Sequence, residues 1–161
     1  MNDTELIDFL SGAGKDASGR SFDTYINHSD QWWERCHDHI QWAFPLPMPS
    51  IAQPQSPVAS LDFYDTVRKS EDAVLRWNMA VMAGRFMNFL QATMEHNTWM
   101  RELDHNHLRI SRAIRCLRLC GLEDVAQVLY DFCVFWGDGV VAKGALTHWK
   151  MAVEATLPED A

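Results

Sequence analysis

Four arginines, Arg109, Arg112, Arg115 and Arg118, recur every third residue through a segment, 105–120, that holds no acidic residue. A guanidinium is a planar fork of donors that matches carboxylate and phosphate oxygens. At about 100° per residue, Ile110, Ala113, Ile114, Leu117 and Cys120 gather on one arc of a helix and the arginines take the opposite side. Two chemistries fit. The arginines form a solvated face paired with carboxylates of neighbouring helices, or they form an anion site. The spacing precesses around the helix, so one small ligand touches two neighbours, Arg109 and Arg112 foremost, and not all four.

Two further clusters carry groups that could ligate metal or move protons: Cys36-His37-Asp38-His39 and His105-Asn106-His107. Cys116 and Cys120 stand four apart, on one face of a helix. Zinc takes tetrahedral Cys and His sets, but no CxxC pair and no HExxH stretch is present, so no metal site is assigned. His37 beside Asp38, or His105 beside Asp104, has the makings of a general base. No Ser or Cys sits in a nucleophile elbow and no glycine-rich phosphate loop occurs. The carboxylate pairs Glu71-Asp72 and Glu123-Asp124 fall at helix starts, where the helix dipole accounts for them. No catalytic residue and no cofactor are therefore assigned.

The elements that must position these groups read as helices. The chain has 161 residues, 47% of them hydrophobic, with seven Trp and eight Phe, enough for one domain with an aromatic core. Ser29-Asp30 opens a helix carrying Trp32 and Trp33 that must end before Pro45. Pro45, Pro47, Pro49, Pro54 and Pro57 make 44–58 a non-helical strap across the surface. Ser60 caps a helix to about Lys69. Ser70-Glu71-Asp72 opens the longest helix, to about residue 94, with Leu75, Met79, Met82, Phe86, Phe89 and Leu90 on one arc. Its methionines read as core. Helices follow over 105–120 (ending at Gly121), 123–136 and 140–156. The expectation is an all-α fold, a single compact helical domain of about six to eight helices with a proline-rich extended strap. Residues 1–20 read as a flexible segment with room for a short helix over 4–10, residues 21–157 as the domain, and 158–161 as a frayed tail.

The net charge of −8 repels nucleic acid and anionic membrane unless a local basic patch overrides it. No apolar stretch is long enough to cross a membrane, and the acidic start of the chain has no signal-peptide core. A reduced, cytoplasmic setting with four free thiols is the expectation, with no membrane contact.

Trp32-Trp33, followed by His37-Asp38-His39-Ile40-Gln41-Trp42-Ala43-Phe44-Pro45-Leu46, resembles the "WW…H..IQW.FPL" hallmark of the opioid growth factor receptor conserved domain. His105-Asn106-His107-Leu108-Arg109-Ile110-Ser111-Arg112, with Leu117 and Leu119-Cys120-Gly121-Leu122-Glu123, resembles that domain's "HN.LRI.RI…L..LGLE" helix, in the same order and at a similar separation. The resemblance covers residues 22–155. Ala43 and Cys120 depart from it, standing where the family carries a bulkier residue and a Leu. The resemblance implies a helical domain from a family whose vertebrate members bind an enkephalin peptide and restrain growth.

Both motifs are polar as well as aromatic. At helical spacing, His37 shares a face with Gln41 and His105 with Arg109. The two motifs are expected to converge on a ligand site of His37, Gln41, Trp42, His105, Arg109 and Arg112, with Trp42 as its wall. The competing reading is a buried hydrogen-bond network that fixes the strap to the arginine helix. The first functional expectation is a non-enzymatic binding or interaction module for a peptide or protein partner. Binding of a phosphate-containing ligand or nucleic acid through the arginine face, or a His-dependent enzyme, are the alternatives.

Overall fold

The computed structural model describes residues 3–70, 73–96 and 98–158. Within them lie nine α-helices: α1 (Asp3–Ser11), α2 (Phe22–Asn27), α3 (Asp30–Arg35), α4 (Ile40–Ala43), α5 (Leu61–Lys69), α6 (Ala73–Thr93), α7 (His105–Leu119), α8 (Glu123–Gly137) and α9 (Lys143–Val153). No strand occurs among the described residues; Lys15 and Ser21 form one isolated antiparallel bridge. The fold is all-α. The expected helix start at Glu71-Asp72 and most of the 158–161 tail lie outside the described residues.

Helix boundaries follow local chemistry. Ser21 and Thr24 form a reciprocal capping box on α2, and the Ser29 hydroxyl accepts from Trp32 N at the start of α3. The Asp104 carboxylate accepts from Asn106 N at 2.8 Å and opens α7. At the other end Gly121 adopts φ +70°. Its N–H donates to the Arg118 carbonyl at 3.1 Å, and that of Leu122 to the Leu117 carbonyl at 2.9 Å, the Schellman pattern that a left-handed residue permits. Arg68 and Arg76 donate to the carbonyls of Leu119, Cys120 and Gly121, placing cations at the negative end of the helix.

The core forms on α6, whose Leu75, Met79, Met82, Phe86, Phe89 and Leu90 are buried. Helices α1, α2, α3 and α8 pack against it, and α7 packs mainly against α8 and α9. Three tryptophans are fully buried, and each indole N–H finds a carbonyl: Trp33 to Tyr25, Trp99 to Leu90 and Trp149 to His107, at 2.8–3.0 Å. Burial of these large apolar bodies is therefore not opposed by an unpaired donor.

The helix read from Ser29 toward Pro45 is two short helices, α3 and α4, with α2 before them, and six of the nine helices among the described residues have seven residues or more. One expectation is corrected. Residues 3–20 belong to the packed body. Leu6, Phe9 and Leu10 of α1 are buried, and Asp16, 5% exposed, organises the following loop. Its carboxylate accepts from Ser18 N, Arg20 N, the Arg20 Nε and the Tyr25 hydroxyl. The strap over 44–58 is non-helical as read. It is tied at its ends by Ala59 N to the Leu46 carbonyl at 3.1 Å and by the Tyr64 hydroxyl to the Pro45 carbonyl at 3.1 Å.

Replacing Asp16 by Asn removes the carboxylate from a buried pair and leaves Arg20 and Tyr25 poorly matched. A loss of about 3 kcal/mol in urea unfolding is expected; a loss under about 0.5 kcal/mol would be the value for an ordinary surface position and would remove residues 11–20 from the folded unit.

Candidate functional site

Arg109 joins the two sequence motifs. It projects from the second turn of α7 and is only 6% exposed. Its Nη1 donates to the Trp33 carbonyl at 2.7 Å and to Asn106 Oδ1 at 3.2 Å. Its Nη2 donates to the carbonyls of Glu34 at 3.5 Å and Cys36 at 2.8 Å, and to His37 Nδ1 at 3.3 Å. These carbonyls are the orphan acceptors at the C-terminus of α3, so the guanidinium caps that helix from another element. Burial lowers the Arg109 pKa from its ordinary value, and the nearby Glu34 carboxylate opposes that. Asn106 Nδ2 donates to Glu34 at 3.0 Å and closes the network. Arg112 donates to the Phe44 carbonyl at 3.2 Å, fixing the root of the strap to the same helix.

Between strap and α7 lies a cleft of about 760 Å³, within the size range of small-molecule and peptide-side-chain pockets. His37 and His105 stand at it with ring centroids 5.9 Å apart. Leu46, Met48 and Ile51 of the strap form one wall, and Leu108, Arg112 and Arg115 of α7 the other. No Asp or Glu lines it. Two lining residues carry buried polar atoms without a protein partner: Arg115 Nε, a donor, and Gln41 Oε1, an acceptor. Gln41 Nε2 donates to the Ser50 hydroxyl at 3.3 Å, holding the strap above α4.

The structure brings His37, Gln41, His105, Arg109 and Arg112 together around this cleft. Trp42 is not its wall. It is 5% exposed and packs edge-on against Phe9 at 5.6 Å. Helix α4 is a single turn, and side chains about 100° apart cannot share a face, so Gln41 meets the cleft and Trp42 the core. Nor does Arg109 offer a fork to a ligand, since both Nη groups donate to the chain. The arginines do not form a solvated stripe either. Arg118 leaves the set to pair with Glu123 at 3.1 Å and the Ala155 carbonyl. The pair facing the cleft is Arg112 and Arg115. Arg115 and the strap residues stand outside the site expected from sequence, although spacing signals them. Leu108, Arg112 and Arg115 follow i, i+4, i+7 spacing on α7. Leu46 and Met48 alternate between prolines, as extended chain requires.

Among the described residues the His and Cys clusters meet through the rings of His37 and His105. His39 turns inward among Tyr25, Trp32 and Trp33. His107 donates to the Trp99 carbonyl at 2.7 Å and packs on Trp149. Among the described residues no group of three or more His, Cys, Asp and Glu is arranged to hold a metal ion. Asp38 serves Arg20, Cys36 and Ser18 instead of His37. Burial pushes its pKa up, but those hydrogen bonds, from Arg20 first, outweigh it and hold Asp38 at about 2. Burial and Asp38 raise the Cys36 thiol, so it is not an activated nucleophile. His105 Nδ1 lies 3.7 Å from Asp104 and its Nε2 3.3 Å from Glu34.

His39 donates from Nδ1 to the Cys36 carbonyl at 2.9 Å, and its buried Nε2 has no partner. Burial, reinforced by Arg109, pushes its pKa from 6.5 down to about 3. Below pH 6.5 the unfolded chain takes up a proton that the folded chain refuses until about pH 3. His39 therefore costs nothing at pH 7, and stability falls as pH drops through that window, by at most about 1.4 kcal/mol per pH unit. Unfolding midpoints at pH 7, 6, 5 and 4 are expected to fall less steeply for His39→Asn than for the parent; parallel slopes would mean that His39 is not held neutral.

No protein-family model, no curated protein and no solved structure matches this chain.

Proposed function

We propose that this chain is a non-enzymatic binding module and that the cleft between strap and α7 holds its ligand, a peptide end with an apolar side chain beside an acidic group. The observation that carries the reading is the cleft's chemistry. An apolar cleft without a carboxylate contains Arg112 and Arg115, in a chain of net charge −8. The buried Arg115 Nε has no protein acceptor. Unpaired buried donors are rare and costly, and a site for an acidic ligand explains one. The motif resemblance to the opioid growth factor receptor conserved domain supports a peptide occupant. A peptide's terminal carboxylate would meet Arg112 and Arg115, and its last side chain would rest between Leu108 and Met48.

A second reading, a phosphate-containing small ligand, is favoured by the same arginine pair, because a fork of donors suits phosphate equally. A nucleic-acid surface has less support, with Arg109 buried and Arg118 paired to Glu123. Among the described residues no helix is long and apolar enough to cross a membrane. A cytoplasmic setting is proposed on the four thiols, none bridged to another.

Thermal shift and calorimetry with an enkephalin-type peptide ending in a free carboxylate, its C-terminal amide, and phenyl phosphate test this reading. The acid is expected to bind about tenfold more tightly than the amide, a difference near 1.4 kcal/mol. Arg115→Gln is expected to remove that preference without lowering Tm. Equal binding of acid and amide would defeat the proposal, and binding of phenyl phosphate alone would transfer it to the second reading.

A further inference from the structure

A second surface lies where α6 and α8 meet. Two adjoining depressions of about 600 and 290 Å³ meet at Ala80 and form one apolar groove. Trp77, Ala80, Gly84 and Met87 of α6 line it at i, i+3, i+7, i+10, the seam spacing of a helix that packs against another helix. Val125 and Val128 face them from α8. Trp77 is 69% exposed and Val128 56%. At Gly84 a Cβ would meet nothing within 4 Å, so the groove floor is open where a partner backbone would approach most closely. From Ala73 to Met87 the groove runs about 21 Å, four turns of a docked helix.

Charge identifies the occupant. Asp124 lines the groove, and Asp131 lies seven residues on, along the same side of α8. No Lys or Arg lines the stretch from Ala80 to Leu129. At the other end Arg76 is directed away, donating to the carbonyls of Val67, Cys120 and Gly121. A second copy of this chain would bring the same acidic edge and the same net charge of −8, which opposes self-association. We propose that the α6–α8 groove docks an amphipathic helix of a partner protein, with an apolar stripe against Trp77, Gly84 and Val128 and basic residues along the Asp124–Asp131 edge. This surface is independent of the strap cleft and of the ligand assigned to it.

The test uses the whole chain and a synthetic amphipathic helix of leucine and lysine, about 18 residues long, with its leucine–glutamate counterpart. Fluorescence anisotropy is expected to show the lysine peptide bound at least tenfold more tightly than the glutamate peptide. Gly84→Gln, which fills the open floor with a better helix former, is expected to keep or raise Tm and to weaken binding about tenfold. Trp77→Glu is expected to weaken binding although it adds negative charge. Lysine-peptide binding that is unchanged in both variants would be charge attraction alone and would overturn the proposal. So would a concentration-dependent dimer in sedimentation that Gly84→Gln dissolves, because the groove would then belong to a second copy.

Discussion

A guanidinium inserted into the C-terminal end of another helix is the constraint on which the candidate site depends. Helix α3 has six residues, too few to persist on local hydrogen bonds alone. Its N-terminus is closed by Ser29, and at its other end Arg109 donates to the Trp33 carbonyl and, beside His39 Nδ1, to the Cys36 carbonyl. The cation satisfies them, complements the negative end of the helix dipole, and takes Asn106 and Glu34 into the same network. Trp33, fully buried, is held between this clamp and α6. A lysine ammonium is a point charge and cannot span carbonyls on Trp33 and Cys36 with a planar fork.

The cleft follows from this joint. With Arg109 fixing α3 and Arg112 holding the Phe44 carbonyl, the root of the strap is anchored to α7, and the cleft lies between the strap and that helix. The same division sorts the arginines by role: Arg109 inward, Arg118 to Glu123, and Arg112 with Arg115 at the opening. An acidic chain thereby concentrates positive charge at one concave, apolar place, where field lines are focused. The α6–α8 groove has the opposite polarity, with an apolar floor and an acidic edge. The molecule thus carries two surfaces suited to partners of different charge.

Much of the fold was legible because its signals are local. Ser29 and Gly121 mark helix ends at the positions where the structure has them, Ser60 marks the start of α5 although its hydroxyl bonds Asp3 and not the helix, and the proline alternation marks the strap. The break between α3 and α4 was not legible, because it goes with burying Trp33 and Trp42 against elements distant in sequence. The loop around Asp16 was read as flexible because its residues are small and polar. Its order comes from one buried carboxylate bound to Arg20 and Tyr25, a tertiary fact. For the site, spacing placed the two motifs together but could not tell which arginine turns inward. Arg109 and Arg112 look alike in sequence, and the carbonyls of Trp33 and Cys36 decide between them. Trp42 was misplaced because a one-turn helix gives no periodicity from which to choose a face.

Amide hydrogen exchange of Arg109→Lys beside the parent protein tests the clamp most directly. Local opening is read residue by residue, so a joint that holds one segment differs from a general loss of stability. The account predicts that amides from Trp32 to Phe44 lose about tenfold or more of their protection, while those of α6, α8 and α9 keep theirs. Unchanged protection from Trp32 to Phe44, or an equal loss throughout the chain, would contradict it.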